Sequence, residues 1–320
     1  MGGSVSGELH VIVNPTAGAG KTGRRWPWIR EQLGRLGMSW TSYFTEGSGW
    51  ATQKVRELLR GGAKEIVAVG GDGTVNEVAN GFFQDGNLLA PDAVLSVLPS
   101  GTGHDFSRSL GIANLASAFQ VLQCGAVRAI DVATATFQNG AQRVSRRFLN
   151  AADVGLGAAA AARVNRSRKL VGGLLTYVGG AVGALLTFRA QAVEVTVDGT
   201  PLLREPSDMI LIANGRFHAG GMRMAPAADL SDGLLEVFAL RHVPRWRLLL
   251  DILPRAVLGL HVGHPALCYR RGSEVQIRSA APLLFEMDGE QPGTTDVAVR
   301  VQPRCLRVRM AEGQAASPAG

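Results

Sequence analysis

The sequence predicts an α/β N-terminal domain with a parallel sheet, followed by a mostly β, sandwich-like C-terminal domain. Three observations predict it. Over residues 8–136 short apolar runs alternate with segments of helical period, the pattern of strand–helix–strand units whose strands run parallel. From about residue 144 the rhythm changes to short alternating runs separated by Gly, Pro and Asp turns. A chain of 320 residues is also long enough for two domains with separate cores.

Taken in order, Leu9–Val13, Ser39–Phe44, Glu65–Val69 and Val94–Leu98 are the expected strands of the first domain. Arg24–Leu36, Trp50–Leu59, Val75–Phe83 and Leu115–Leu122 are its expected helices. In the second domain the expected strands are Gln191–Val197, Asp208–Ala213, Leu235–Leu240, Glu274–Arg278, Leu283–Met287 and Val297–Val301. The boundaries drawn from this are 1–130 and 131–302, with residues 303–312 free to pack back on the first domain. Ala311–Gly320, small and polar, is expected to be a disordered tail.

The formal charge of +7 is carried mostly by Arg, with Lys only at positions 21, 54, 64 and 169. Such a surface is drawn to nucleotides, nucleic acid or an acidic membrane, and it equally suits a merely solvated surface. No run of interleaved aromatic and basic residues supports nucleic acid, which is excluded as a partner. The three cysteines, Cys124, Cys268 and Cys305, have no metal-ligand spacing, and the N-terminus lacks a signal-peptide pattern. A reduced, cytoplasmic setting is expected.

Two stretches bear on membranes. Leu170–Phe188 has no charge over nineteen residues but contains five glycines, so a buried or interfacial helix is preferred to a span. Val243–Leu260 sets Arg245, Arg247 and Arg255 among leucines and Trp246, as a surface-lying amphipathic helix or one packed on a sheet would.

Three Gly-rich segments fall just after expected strands, where open parallel sheets bind ligands. The first is Asn14-Pro15-Thr16-Ala17-Gly18-Ala19-Gly20-Lys21. Glycines let backbone N–H groups cradle phosphate oxygens, and a following helix N-terminus adds a favourable dipole. It is not a Walker loop, because Pro15 stands where that pattern needs glycine. Lys21, Arg24 and Arg25 are candidate phosphate contacts or solvated helix-start residues.

The second segment is Gly70-Gly71-Asp72-Gly73-Thr74-Val75-Asn76-Glu77, with Thr74 placed to cap a helix or touch phosphate. The Asp72 carboxylate, flanked by glycines, could hold Mg²⁺ or accept a proton. The third is Pro99-Ser100-Gly101-Thr102-Gly103-His104-Asp105-Phe106, with Asp105 expected to cap a helix starting near Phe106. Together the three make a nucleotide site.

In this order the segments resemble the diacylglycerol kinase catalytic-domain family, which includes bacterial lipid kinases and the sphingosine and ceramide kinases, with NAD kinases as distant relatives. The likeness continues through Phe148–Gly157, Ile212–Gly215, Asp229–Leu235 and Asp288-Gly289-Glu290, so it covers nearly the whole chain. It implies a nucleotide-binding first domain and an active site in the cleft between the two. ATP would be surrounded by Asn14, Pro15, Thr16, Ala17, Gly18, Thr45, Gly71, Asp72, Gly73, Thr74, Val75, Asn76, Glu77 and Thr102. It implies a structural Mg²⁺ near the Asp229–Leu234 loop, held by the Asp232 carboxylate and main-chain oxygens of Asp229 and Leu234. It assigns the proton-acceptor role to Glu290, with Asp288 beside it and Asp72 as the competing base or metal anchor.

The resemblance implies an ATP- and Mg²⁺-dependent kinase of diacylglycerol or a similar lipid alcohol, working at the inner membrane surface as a peripheral protein; a homodimer is left open. Two other readings stand beside it: a kinase of a soluble acceptor such as NAD, and a nucleotide-binding regulator without catalysis. His104 stands where the family usually has Asn, which puts its nucleotide contact in question.

Overall fold

The computed structural model describes residues 8–159 and 188–312. The chain divides into two units, Met1–Ile130 with Arg304–Gly320, and Asp131–Pro303.

In the first unit the strands are β1 (Leu9–Val13), β2 (Trp40–Phe44), β3 (Glu65–Gly70) and β6 (Val94–Pro99), with a small hairpin β4 (Phe83–Gln84) and β5 (Asn87–Leu88) between them. β1 runs parallel to β2 and β3, and β3 runs parallel to β6. All residues of β3 and β6 are buried, as expected where helices cover both faces of a sheet. The helices are α1 (Ala17–Arg35), α2 (Trp50–Arg60), α3 (Asp72–Gly81), α4 (Asp105–Ser109) and α5 (Leu115–Cys124).

The helix expected at Arg24 begins earlier, but Gly18, Ala19 and Gly20 take positive φ, so a left-handed turn precedes the regular helix. The helix expected at Val75 begins at Asp72, so the glycine segment is itself the first turn of α3. Its cap position is Gly71 and has no side-chain bond, which corrects the expectation that Thr74 caps it. At α4 the cap position falls on His104, and Asp105 is already the first helical residue.

The last strand, β16 (Glu290–Met310), lies in the second unit up to Pro303 and in the first from Arg304. Its end runs parallel to β6, with Arg307 opposite Val94 and Val308 opposite Leu95. A buried pair fixes it there. The Arg309 guanidinium donates from Nε and Nη2 to the two Glu65 oxygens at 2.9 and 2.8 Å, and Ser96 Oγ donates to Glu65 at 2.6 Å.

The second unit is built from β7 (Ala126–Asn139, from Asp131), β8 (Gln142–Phe148), β9 (Ala151–Gly155), β10 (Gln191–Val197), β11 (Thr200–Ala213), β12 (Leu235–Arg241), β13 (Leu267–Gly272), β14 (Glu274–Ser279), β15 (Leu284–Met287) and the start of β16. The pairings β7–β8, β9–β11, β9–β15, β10–β11, β10–β14, β11–β12, β12–β13, β14–β16 and β15–β16 are all antiparallel. They close on one apolar core that includes Phe137, Phe148, Val195, Ile212, Val237 and Phe285.

Strands β7, β8, β9 and β13 are additions to the sequence-based set. β8 reads QRVSRRF, so only one face is apolar and no run announces it, while β9 is fully buried yet built of Ala, Asp, Val and Gly. Residues Arg245–Arg247, Leu248–Ile252 and Leu253–Leu258 form one helical segment, α6, with a π turn in its middle. The uncharged stretch Leu170–Phe188 lies outside the described residues except for Phe188, as does the tail from residue 313.

Candidate active site

The three glycine segments of the first unit touch backbone to backbone. A Cβ on Gly101 would lie 2.5 Å from the Gly71 Cα, and one on Gly18 would lie 3.3 Å from the Gly101 backbone. No other residue allows this approach. Hydrogen bonds lock the arrangement: Ser100 and Gly101 donate their N–H groups to the Gly70 carbonyl at 2.8 and 3.1 Å, and Thr22 Oγ1 donates to the Ser100 carbonyl at 3.1 Å. Asn14 Nδ2 donates to Thr74 Oγ1 at 3.0 Å, while Asn14 Oδ1 accepts from Thr16 N–H and Oγ1.

This sorts the expected nucleotide residues. Pro15, Thr16, Ala17, Gly18, Gly71, Gly73, Glu77 and Thr102 keep accessible surface. Thr74, Val75 and Asn76 are buried, and Thr74 accepts a hydrogen bond from Asn14, so their side chains pack at the start of α3. Thr45 follows β2, its N–H donating to the Val13 carbonyl at 2.9 Å.

Asp72 is not an open carboxylate. Oδ2 accepts the Asp105 N–H at 3.3 Å and Oδ1 the Phe106 N–H at 3.2 Å, so Asp72 caps α4 from another part of the chain. Beside it, burial first, and then the charges of Arg108, Lys21 and Arg25, lower the His104 pKa from 6.5 to about 4 despite the opposing Asp105. His104 is therefore neutral at pH 7, and its surroundings carry the positive potential an anionic ligand needs.

In the second unit, Asp288 is tied into the fold. Its Oδ2 accepts the Leu149 N–H at 2.8 Å, and its Oδ1 accepts those of Asn150 and Ala151 at 3.0 and 3.1 Å. With three main-chain donors it positions the turn. Glu290 is half-buried, and Arg146 Nη2 donates to its Oε2 at 2.9 Å, which leaves a carboxylate oriented but reachable. Asn214, fully buried, donates to the carbonyls of Asp131 and Leu149 at 3.0 and 2.7 Å and so ties the strand carrying the Asp288 contacts to β7.

The Asp229–Leu234 loop is folded around its own carboxylates. Asp229 Oδ1 accepts from Ser231 N–H and Oγ, and Asp232 Oδ1 accepts the Leu234 N–H at 2.9 Å. Gly233, at φ 76°, donates to buried Asp131 at 2.6 Å. Arg271 pairs with Asp232 Oδ2 and with Glu236. The oxygen-rich donor set suits a hard divalent cation, and the Arg271 guanidinium already sits where positive charge is favoured.

Sequence reasoning missed Arg146 and Asp131, gave Asn214 no role although it lies in the matching segment Ile212–Gly215, and missed a buried group of Asp153, His218 and Glu286. Burial, and then the Asp153 charge, push Glu286 well above the usual carboxylate range. Asp153 lay inside a segment already singled out; His218 and Glu286 had no pattern to mark them.

One surface is apolar and open. On and after α6, Trp246, Leu250, Leu258 and Leu260 are 64, 76, 67 and 64% exposed. Arg247 and Arg255 hold the single acidic residue of the segment, Asp251, at 3.7 and 2.7 Å. A cavity of about 490 Å³ opens beside the start of α6, lined among others by Leu156, Phe188, Arg189, Pro244, Arg245 and Leu248. Among the described residues no helix is long and apolar enough to cross a membrane.

The first unit brings three glycine segments together, and the second carries an oriented carboxylate on a turn. Residues 8–135 match the diacylglycerol kinase catalytic domain, and residues 150–310 match the YegS C-terminal NAD kinase beta sandwich-like domain. The chain is 30% identical over 288 residues to a diacylglycerol kinase of Staphylococcus haemolyticus (strain JCSC1435), covering 88% of this chain and 82% of that protein. It is 26% identical over 289 residues to a diacylglycerol kinase of Bacillus subtilis (strain 168), covering 89% of this chain and 90% of the other. A crystal structure of a diacylglycerol kinase from Bacillus anthracis str. Sterne has the same fold, with a TM-score of 0.68, 20% identity, and 96% and 98% of the two chains covered. The chain belongs to the diacylglycerol kinase family.

Proposed function

We propose that the chain transfers the γ-phosphoryl group of ATP to the hydroxyl of diacylglycerol or a similar lipid alcohol at the inner membrane surface. The observation that carries the reading is the backbone contact of Gly18, Gly101 and Gly71. It brings the glycine segments before α1, α3 and α4 together, which supports reading them as a phosphate-binding surface, and the positive potential around His104 favours the same ligand. Glu290 is the proton acceptor for the attacking hydroxyl, held by Arg146; Asp72 and Asp288 keep the two loops in shape. A catalytic Mg²⁺, when bound, would neutralise phosphate charge, and a separate structural one would neutralise the acidic loop. Asp232, with main-chain oxygens of Asp229 and Leu234, would hold an ion once Arg271 releases one Asp232 oxygen. The exposed apolar residues of α6 support a lipid acceptor, because the protein must reach a substrate that does not leave the bilayer.

The experiment is transfer of labelled phosphate from ATP, with Mg²⁺, to diacylglycerol in mixed micelles, beside the same assay with NAD. The NAD arm tests the soluble-acceptor reading, which the second matched domain favours by its description. Lipid labelling that falls on the order of 10²–10⁴-fold in Glu290→Gln is the expected outcome. ATP binding without turnover on any acceptor would favour a regulator, and an undiminished Glu290→Gln would remove Glu290 from the chemistry.

A further inference from the structure

Asp153 on β9 and Glu286 on β15 stand directly opposite each other in an antiparallel register. They are 1% exposed each, so two carboxyl groups face one another away from water. Paired carboxylates in that position are destabilising unless a positive charge is shared between them. The residue that meets both is His218. Its Nε2 lies 3.1 Å from Asp153 Oδ2 and 3.5 Å from Glu286 Oε2, and its backbone is fixed by reciprocal hydrogen bonds with Met222.

We propose that Asp153, His218 and Glu286 bind a divalent first-row transition-metal ion beside the Asp288–Glu290 turn. The donor atoms of the three residues all lie within 4.8 Å of one another. A tetrahedral ion with bonds of about 2.0–2.2 Å separates its ligand atoms by roughly 3.3–3.6 Å, close to the spacing already present. Asp153 Oδ1 and Glu286 Oε2 are buried atoms left without a hydrogen-bond partner among the described residues, and Oε2 lies 3.5 Å from the His218 Nε2, so the group has oxygen capacity to offer a cation. One imidazole and two carboxylates suit Zn²⁺ or Mn²⁺. The Gly289 N–H donates to Glu286 Oε1, so the ion fixes the turn that carries Glu290 through a single main-chain bond. The site is distinct from the Asp229–Leu234 loop and shares no residue with it.

The test uses the full chain, stripped with a chelator and returned to buffer containing Mg²⁺. Zn²⁺ and Mn²⁺ are titrated separately by calorimetry, and metal retained after gel filtration is measured by mass spectrometry. One equivalent per chain is expected, with a thermal midpoint raised by several degrees by the bound ion. Glu286→Gln keeps the side-chain shape and should lower affinity at least tenfold; His218→Gln serves as the second variant if the first fails to fold. Asp232→Asn should leave the binding unchanged. Binding of neither metal by the wild-type chain, or equal affinity in a folded Glu286→Gln, overturns the proposal and leaves the three residues as a proton-sharing cluster.

Discussion

Asp72 and Phe106 are joined by a hydrogen bond from the Phe106 N–H to Asp72 Oδ1, at 3.2 Å, between the start of α3 and the start of α4. Two of the glycine segments are thereby one unit. The carboxylate that looks most available in the sequence is spent on the free N–H groups of a helix, with a Gly103 Cβ position only 2.3 Å from its Oδ2. A bulkier residue at Gly103 would push it away.

Asp72→Ala should therefore lower stability by about 1 kcal/mol, the usual cost of losing a cap. It should also lower kcat/KM for ATP by on the order of tenfold or more, because the Ser100–Asp105 loop is no longer held. Urea unfolding and initial rates at varied ATP check both. A variant with unchanged stability and no activity would assign Asp72 a chemical role.

His104 gives a pH dependence whose sign follows from its environment. Its folded-state pKa is about 4 against an ordinary 6.5, so between those values the unfolded chain binds more protons. Stability contributed by neutral His104 is present above pH 6.5 and is lost as pH falls toward 4. His104→Asn, the residue usual in the family, should flatten the stability curve in that window. Thermal melts at steps of pH measure it, and parallel curves for the two proteins would show that His104 is not held neutral.

Much of the first unit was legible because parallel strands buried on both faces read as continuous apolar runs, as in Glu65–Gly70 and Val94–Pro99. The glycine segments were legible for a related reason: a place where backbones must touch tolerates no side chain. What sequence could not show was direction. Asp72 points at the N–H groups of residues 105 and 106, and Asp288 at those of 149–151, contacts of long sequence separation that no local pattern encodes. Likewise β9, with the sequence AADVG, becomes a strand only because partners bury it on both sides.

The Glu65–Arg309 pair offers a stability test within the first unit. Both side chains are 6% exposed and joined by two charge-assisted bonds, so removing one partner strands the other. Arg309→Met should cost about 3–5 kcal/mol in urea unfolding, since a buried unpaired carboxylate remains. Replacing both residues with apolar ones should recover much of that. A single substitution costing under about 1 kcal/mol would mean that water reaches Glu65.

The apolar face of α6 makes the membrane proposal measurable. Leu250 and Leu258, 76 and 67% exposed, can enter a bilayer without breaking any packing, while Arg245, Arg247 and Arg255 meet anionic headgroups. Burying a leucine side chain in lipid contributes about 1.5–3 kcal/mol, so Leu250→Asp with Leu258→Asp should weaken vesicle binding by on the order of a hundredfold or more. The same variant should keep its melting temperature, because neither side chain supports the core. Sedimentation with vesicles of mixed neutral and anionic phospholipid gives the binding. Phosphate transfer should fall on vesicles yet persist with a short-chain diacylglycerol dispersed as monomers. If the double variant binds vesicles as the wild-type protein does, α6 is not the membrane contact; if it loses both assays equally with an intact fold, α6 acts on the acceptor itself and not on the bilayer.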